Sequence, residues 1–287
     1  MTDGTESWFS ETLYPAFQQR FAVGKILHRS NTGMQDLVVF ENPYFGRVLA
    51  LDGIVQTTER DEACYHEMIA HVPMFAHGTA REVLIIGGGD GGALRDVLRH
   101  PSVERATMVE IDGGVVEACR KYLPGLSDGA FDDPRTDLVI GDGLAYIRDT
   151  DRRFDVIVVD STDPIGFATP LFSDDFYADC REHLTDDGIV VCQSGVSFVQ
   201  AEESEATFAR MGRVFPDAAL YLTQVPTYAL GFMTLGWGAK SARARNTDAE
   251  TIRARFKAAG IPTRYYTPAI HTASFSLPAY MDYAIRT

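Results

Sequence analysis

Residues 82–98 read EVLIIGGGDGGALRDVL, and the fold turns on them. An apolar run, Val83 to Ile86, breaks into five glycines within six residues and resumes as an amphipathic pattern through Leu94, Val97 and Leu98. Strand, glycine loop and helix follow one another as they do where a parallel α/β sheet opens a ligand site. Gly87, Gly89 and Gly92 satisfy G-x-G-x-x-G literally. That pattern is weak alone and gains weight from its place between a strand and a helix. Such loops usually lie under something negative, yet this one carries a carboxylate, Asp90, at its centre.

The same rhythm continues downstream. RATMVEID leads into GGVVEACRKYL, TDLVIGDG into LAYIRDT, FDVIVVDSTDP into SDDFYADCREHL, and GIVVCQSG into AEESEATFARMGRVF. Short apolar strands alternating with amphipathic helices predict a mostly parallel sheet with helices on both faces. LYLTQVPTYALGFMTLGWGA offers two further strands joined by a PTYALG turn, and SARARNTDAETIRARFKAAG reads as a helix capped by Thr247 or Asp248. Upstream, residues 20–60 are β-rich, with a turn at NTG and a hairpin signal at Asp52-Gly53. From Asp61 the spacing of Tyr65, Met68, Ile69 and Val72 marks one face of a helix. The expected organisation is a small N-terminal β module over 1–60 and a Rossmann-like α/β domain over 61–287.

Composition narrows the function. The 287 residues carry 40 acids against 26 bases, a formal charge of -14. That balance argues against nucleic acid, whose phosphates need clustered Lys and Arg, and is compatible with a cationic substrate. The four cysteines, Cys64, Cys119, Cys180 and Cys192, form no C-x-x-C pair and are too sparse for a disulfide framework or a zinc cluster. No apolar run approaches the ~20 residues that span a bilayer, and the first residues do not read as a signal peptide. A soluble protein of a reducing compartment, the cytoplasm, is the expectation.

Ligands of such sheets bind beyond the carboxyl ends of the strands, which selects residues 87–92, 110–112, 142–143 and 160–163. Glu110 ends the second strand of the repeat, where an acid can hold both ribose hydroxyls of an adenosine. Asp142-Gly143 ends the third, where an adenine edge can be met. Dinucleotides and S-adenosylmethionine relatives both use these features. Asp90 discriminates among them, because it would repel a pyrophosphate or an amino-acid carboxylate and welcome an amine. Asp90 is also a plausible helix cap. Asp160 and Asp163 flank the DSTDP loop and extend the acidic character. Three such carboxylates suit either Mg²⁺ or ammonium groups. With no phosphate site for Mg²⁺ to bridge, ammonium is preferred and no metal is expected.

These residues resemble the spermidine synthases, the polyamine aminopropyltransferase family, in its bacterial form. The resemblance spans nearly the whole chain and includes LDGIVQTTERDEACYHEM, VLIIGGGDGGALRDVLRHPSVE, MVEID, DPR, GDG, FDVIVVDSTDP, VPTYALG and RYYTPAIHTASFSLPAY. It implies a methyltransferase-like Rossmann domain behind an N-terminal β module that serves self-association, as homodimer or homotetramer. It implies transfer of the aminopropyl group of decarboxylated S-adenosylmethionine, a co-substrate rather than a cofactor, to putrescine, giving spermidine and 5′-methylthioadenosine. Carried over by motif, Asp160 matches the proton acceptor. Tyr65, His66, Asp90, Asp163 and Tyr228 match amine- or polyamine-contacting positions. Gln35, Glu110, Asp142 and Gly143 match donor-nucleoside positions, and Gly87 and Gly89 belong to the glycine loop. His271 is expected to be structural, and Gln56 and Glu59 to shape a wall between the modules. The family's D-P-x-G-P reads Asp163-Pro164-Ile165-Gly166-Phe167 here, which leaves acceptor preference open. On the same fold a methyltransferase would bind intact S-adenosylmethionine and a dehydrogenase NAD, and Asp90 opposes both. A polyamine sensor without turnover is opposed by Asp160.

Overall fold

The structure, a computed structural model, describes residues 7–164 and 166–285, with residue 167 described in its backbone only. Ile165 and the side chain of Phe167, the residue at which the sequence departs from the family pattern, lie outside the described residues.

Six strands come first: β1 (Ser7–Ser10), β2 (Arg20–Val23), β3 (Lys25–Asn31), β4 (Asp36–Asn42), β5 (Gly46–Leu51) and β6 (Ile54–Thr58). β1 and β2 pair antiparallel, and β3 to β6 form an antiparallel meander. Asp52 and Gly53 both take positive φ, 49° and 80°, as the two-residue turn of a hairpin requires. β1 had no counterpart in the sequence reading, and the single strand expected over FAVGKILHRS is interrupted at Gly24, between β2 and β3.

The chain then runs α1 (Glu62–His77), β7 (Glu82–Gly87), α2 (Gly92–Leu98), β8 (Arg105–Glu110), α3 (Gly113–Tyr122), α4 (Pro124–Ser127), β9 (Thr136–Ile140), α5 (Gly143–Asp149) and β10 (Phe154–Asp160). It continues through α6 (Asp174–His183), β11 (Leu184–Val196), α7 (Ala201–Val214), β12 (Asp217–Thr223), β13 (Met233–Ala239), α8 (Ala249–Ala259), α9 (Pro268–Ser274) and α10 (Asp282–Ile285). The seven-stranded sheet has the order β12-β13-β11-β10-β7-β8-β9. β13 runs antiparallel to both neighbours, and the pairs from β11 to β9 are parallel. This is the methyltransferase-like doubly wound sheet. The chain leaves β7 toward β8 and later returns to its other side with β10, so the order reverses between β7 and β10.

Alternation along the central strands divides the interior in two. Val83 and Ile85 of β7 and Val156 and Val158 of β10 pack with α1, α2 and α8. Leu84, Ile86, Ile157 and Val159 point the other way, to Ile147, Phe176 and Met211 of α5, α6 and α7. Both faces are covered, which is why these strands read as unbroken apolar runs. The N-terminal meander lays Leu37, Val39, Leu49 and Leu51 on Val115, Cys119 and Leu126 of α3 and α4.

Two local expectations need correction. α1 is not amphipathic with one apolar face. Fourteen of its sixteen residues, from Glu62 to Ala76 except Cys64, are buried. Glu67 accepts the backbone N–H groups of Arg264, Tyr265 and Tyr266. The basic tail is helical only from Ala249, capped by Asp248 through the Thr251 N–H, and residues 241–246 are turns.

At the β7–β10 crossing Gly87 has φ +86°, and a Cβ there would lie 2.2 Å from the Asp160 carbonyl oxygen. Gly88 donates its N–H to that same oxygen at 2.8 Å. Gly87→Ala combines left-handed strain with a collision against backbone, which cannot swing aside. It is expected to destabilise the fold by about 2–4 kcal/mol, read from urea midpoints at constant slope.

Candidate active site

A cleft of about 620 Å³ opens at the carboxyl ends of β7, β8 and β10, walled on its far side by β5 and β6. It takes in all four segments that the strand-end rule selects. Every proposed site residue contributes: Gly87, Gly89, Asp90, Glu110, Asp142, Gly143, Asp160 and Asp163 from the sheet, and Gln35, Tyr65, His66 and Tyr228 from elsewhere. No Lys or Arg lines it among the described residues.

The nucleoside-like end is built from helix starts. Glu110, at the end of β8, is buried and accepts the Asp112 N–H at 2.8 Å. Burial pushes its carboxyl up to about 7, partly offset by that hydrogen bond. Asp112 caps α3 through Gly114 and also receives Thr32 Oγ1 at 2.6 Å and Gln35 Nε2 at 2.8 Å. Gln35 is thereby anchored across the boundary between the meander and the sheet. Asp142 caps α5 through the Leu144 N–H and is exposed, with Gly143 buried behind it.

The acidic end centres on Asp160, last residue of β10. Tyr65 donates its hydroxyl to Asp160 Oδ1 at 2.8 Å, and its ring meets that of Tyr228 edge-on. Burial raises the Asp160 carboxyl to about 6; the His66 charge and the Tyr65 hydrogen bond pull it down, and Asp90 pushes it up. The N-cap of α2 is Gly91 rather than Asp90, which accepts the Gly92 N–H on Oδ1 at 2.7 Å and places Oδ2 3.2 Å from His66 Nε2. An ionised carboxylate has about four acceptor sites, so these contacts leave room for an incoming donor. Tyr228 donates to the Gln56 carbonyl, which places Gln56 in the wall. Glu59 instead binds the Arg47 N–H. His271 is buried against the Tyr266 hydroxyl in the core.

Several participants had escaped the sequence. Glu11 and Tyr14, from the N-terminal segment, line the cleft near Asp163, as does Gln200 at the start of α7, with Glu203 behind it. Tyr14 donates to Gln200 Oε1, which also accepts the Val196 N–H. Burial raises the Glu11 and Asp163 carboxyls and takes Glu203 to about 7. No local pattern links positions 11, 163 and 203. Glu62 and His66, by contrast, are four apart on one helix, a spacing that was available to read.

Comparison with known proteins agrees with this geometry. Residues 62–248 match the model of the spermine/spermidine synthase domain, and residues 7–59 that of the spermidine synthase tetramerisation domain. The chain is 54% identical over 277 residues to polyamine aminopropyltransferase 1 of Pseudomonas aeruginosa, covering 96% of this chain and 97% of that one. It is 51% identical over 281 residues to the polyamine aminopropyltransferase of Pectobacterium carotovorum, covering 98% of each. Among solved structures, a spermidine synthase in complex with the transition-state analogue AdoDATO superposes with a TM-score of 0.93 at 38% identity, over 99% of this chain and 97% of that one. The spermidine synthase of Thermotoga maritima gives 0.89 at 37% identity, over 99% and 95%.

The chain belongs to the spermine/spermidine synthase family. It is an enzyme, and its activity is aminopropyl transfer in polyamine biosynthesis.

The Glu110 shift has a signed consequence for stability. A carboxyl whose folded pKa is raised binds more protons folded than unfolded between about 4.5 and 7. Stability therefore falls as pH rises through that window, by up to about 3 kcal/mol. Glu110→Gln removes this slope. In paired urea titrations of ligand-free protein the variant should gain on the wild type from pH 5 to pH 8, and a constant difference would show that Glu110 ionises without penalty.

Proposed function

We propose that the enzyme transfers the aminopropyl group of decarboxylated S-adenosylmethionine to putrescine, releasing spermidine and 5′-methylthioadenosine, with Asp160 as general base. The observation that carries this reading is the charge of the cleft, acidic from end to end with no Lys or Arg among its described lining residues. Such a lining disfavours a pyrophosphate or an amino-acid carboxylate and suits a cationic donor and a diamine.

On this reading Glu110, Gln35, Asp142 and Gly143 hold the nucleoside. Asp90 meets the primary amine of the donor's aminopropyl arm, and its charge works against the carboxylate of intact S-adenosylmethionine. The acceptor lies along Tyr65 and Tyr228, whose rings pack on its methylenes, with Asp163 beyond them. Glu11 and Glu203 strengthen the field at that far end. Putrescine arrives as a diammonium ion and cannot attack until one nitrogen loses a proton. Asp160 binds that ammonium and takes its proton. The freed lone pair attacks the methylene beside the sulfonium, and the C–S electron pair leaves with sulfur as a neutral thioether, so no general acid is required. A carboxyl near 6 is ionised at neutral pH and still basic enough for this task. Alignment of nitrogen, carbon and sulfur supplies much of the remaining acceleration.

The N-terminal β module is inferred to assemble the chain as a homodimer or homotetramer, in the cytoplasm, where the cysteines Cys64, Cys119, Cys180 and Cys192, all unpaired, stay reduced.

Turnover with decarboxylated S-adenosylmethionine against a panel of di- and triamines tests the reading, with methylthioadenosine followed in time and the product identified by mass. Spermidine from putrescine is the expected result; preference for another amine moves the specificity and keeps the mechanism. Asp160→Asn should lower kcat by about 10²–10⁴ in a folded protein, and near-normal turnover would remove Asp160 from the base role. Asp90→Asn should narrow the preference for the decarboxylated nucleoside over S-adenosylmethionine. Calorimetric affinities for both nucleosides that keep their ratio would contradict the part given to Asp90.

A further inference from the structure

Behind the cleft lies a group that this mechanism does not use. Glu62, first residue of α1, is 4% exposed and accepts from three side chains. His66 Nδ1 lies 2.7 Å from Oε2. Arg95 of α2 binds both oxygens, Nη2 to Oε2 at 2.9 Å and Nη1 to Oε1 at 3.3 Å. Arg264, from the RYY segment before α9, reaches Oε1 with Nη1 at 2.9 Å. The far nitrogen of the same imidazole, Nε2, lies 3.2 Å from Asp90 Oδ2. A carboxylate stands at each end of one buried ring.

We propose that Glu62 is a positioning residue of the transfer reaction: through His66 it fixes the Asp90 carboxylate and holds a cationic imidazole beside Asp160. The inference rests on the aminopropyl-transfer reading for its consequence, though not for its geometry. A neutral imidazole has one N–H and one lone pair, so a ring flanked by two ionised carboxylates would turn its lone pair on one of them. Protonation of both nitrogens removes that conflict. A Cβ on Gly92 would lie 2.2 Å from Nδ1, so glycine is what allows the loop to close on the imidazole ring.

The charges around the ring act together. Glu62 and Asp90 face it directly. Arg95 and Arg264 reach it only through Glu62, and Asp96 balances Arg95 from the other side. Tyr65 packs its ring edge against the imidazole and donates to Asp160. Burial opposes the charge on His66, but Asp90 and Glu62 outweigh it and hold the imidazole well above its usual range. Burial likewise opposes ionisation of Glu62, and His66 and Arg95 overcome it, taking the carboxyl down to about 2. The imidazolium in turn lowers the Asp160 carboxyl against burial and Asp90.

Loss of the Glu62 charge should therefore be felt at Asp160. In Glu62→Gln the acid limb of kcat/KM is expected to move up by about one pH unit, the low end of what a neighbouring opposite charge supplies, so that activity below the limb falls about tenfold. A purely structural role would lower the melting temperature and leave the limb in place. If Glu62→Gln does not fold by circular dichroism, the nitrogen spectrum of the wild type carries the test. The imidazole ¹⁵N resonances of the unliganded wild type, with His66 assigned by its loss in His66→Gln, give a readout independent of turnover. Both nitrogens of His66 should carry protons at pH 7. A neutral His66 at that pH, or an unmoved limb in a folded variant, overturns the proposal. Absence of aminopropyl transfer by the wild type would instead sink the functional reading, with the nitrogen spectrum still deciding the Glu62–His66 relation.

Discussion

Crowding of carboxylates into a poorly hydrated cleft is the constraint around which this fold is arranged. Asp90, Asp160, Asp163, Glu110 and Glu11 share one space with a single basic side chain, His66, among the described lining residues. Burial alone would keep such groups protonated, and several are indeed shifted upward. Neutral donors offset part of that cost, namely the N–H groups of Gly92, Asp112 and Val55 and the side chains of Tyr65 and Gln200, and the His66 charge offsets more of it at Asp160. The unliganded protein thus carries an electrostatic penalty that, on the proposed reading, cationic substrates relieve.

Placing these groups within reach of one another depends on the reversal of strand order between β7 and β10. At that point the glycine loop folds back over the end of β10 instead of continuing away from it. Gly88 donates to the Asp160 carbonyl, and Gly87 lies where no side chain would fit. The backbone of Asp160 and that of the loop are consequently fixed against each other by main-chain contacts. Gln35 is tied through Asp112 to the cap of α3, so the meander cannot shift without disturbing the nucleoside end.

What was legible in the sequence was what is local. The strand ends, the glycine loop and the Asp52-Gly53 hairpin follow from local periodicity, and the clustering of Asp90 with Asp160 and Asp163 follows from the strand-end rule, which gathers successive strand ends at one edge of the sheet. The two strands joined by PTYALG are also there, as β12 and β13. Unread were the features made by distant segments. Glu11 and the Gln200–Glu203 pair meet Asp163 from two distant parts of the chain, and nothing local to either marks an acid as inward. The face marked by Tyr65, Met68, Ile69 and Val72 is buried as its spacing predicts, and the polar positions of α1 are buried too, since Glu62, Glu67 and the flanking Asp61 find partners in α2, the RYY segment and Thr227. The basic stretch at 241–246 was joined to a helix that begins only after its Asp248 cap, since composition alone does not separate turn from helix.

The terminal RYY segment shows why residues far from the chemistry belong to it. A cleft that must accept cations cannot be lined with Lys or Arg, yet its carboxylates need positive charge nearby to stay ionised. The fold meets both demands by keeping its guanidinium groups one carboxylate away. Arg95 and Arg264 charge Glu62, Glu62 charges His66, and His66 alone enters the cleft. Glu67 clamps the backbone of 264–266 so that Arg264 is delivered to its place. An arginine set directly against Asp90 would hold the same carboxylate more firmly, but it would occupy the ammonium site with a charge that cannot be given up.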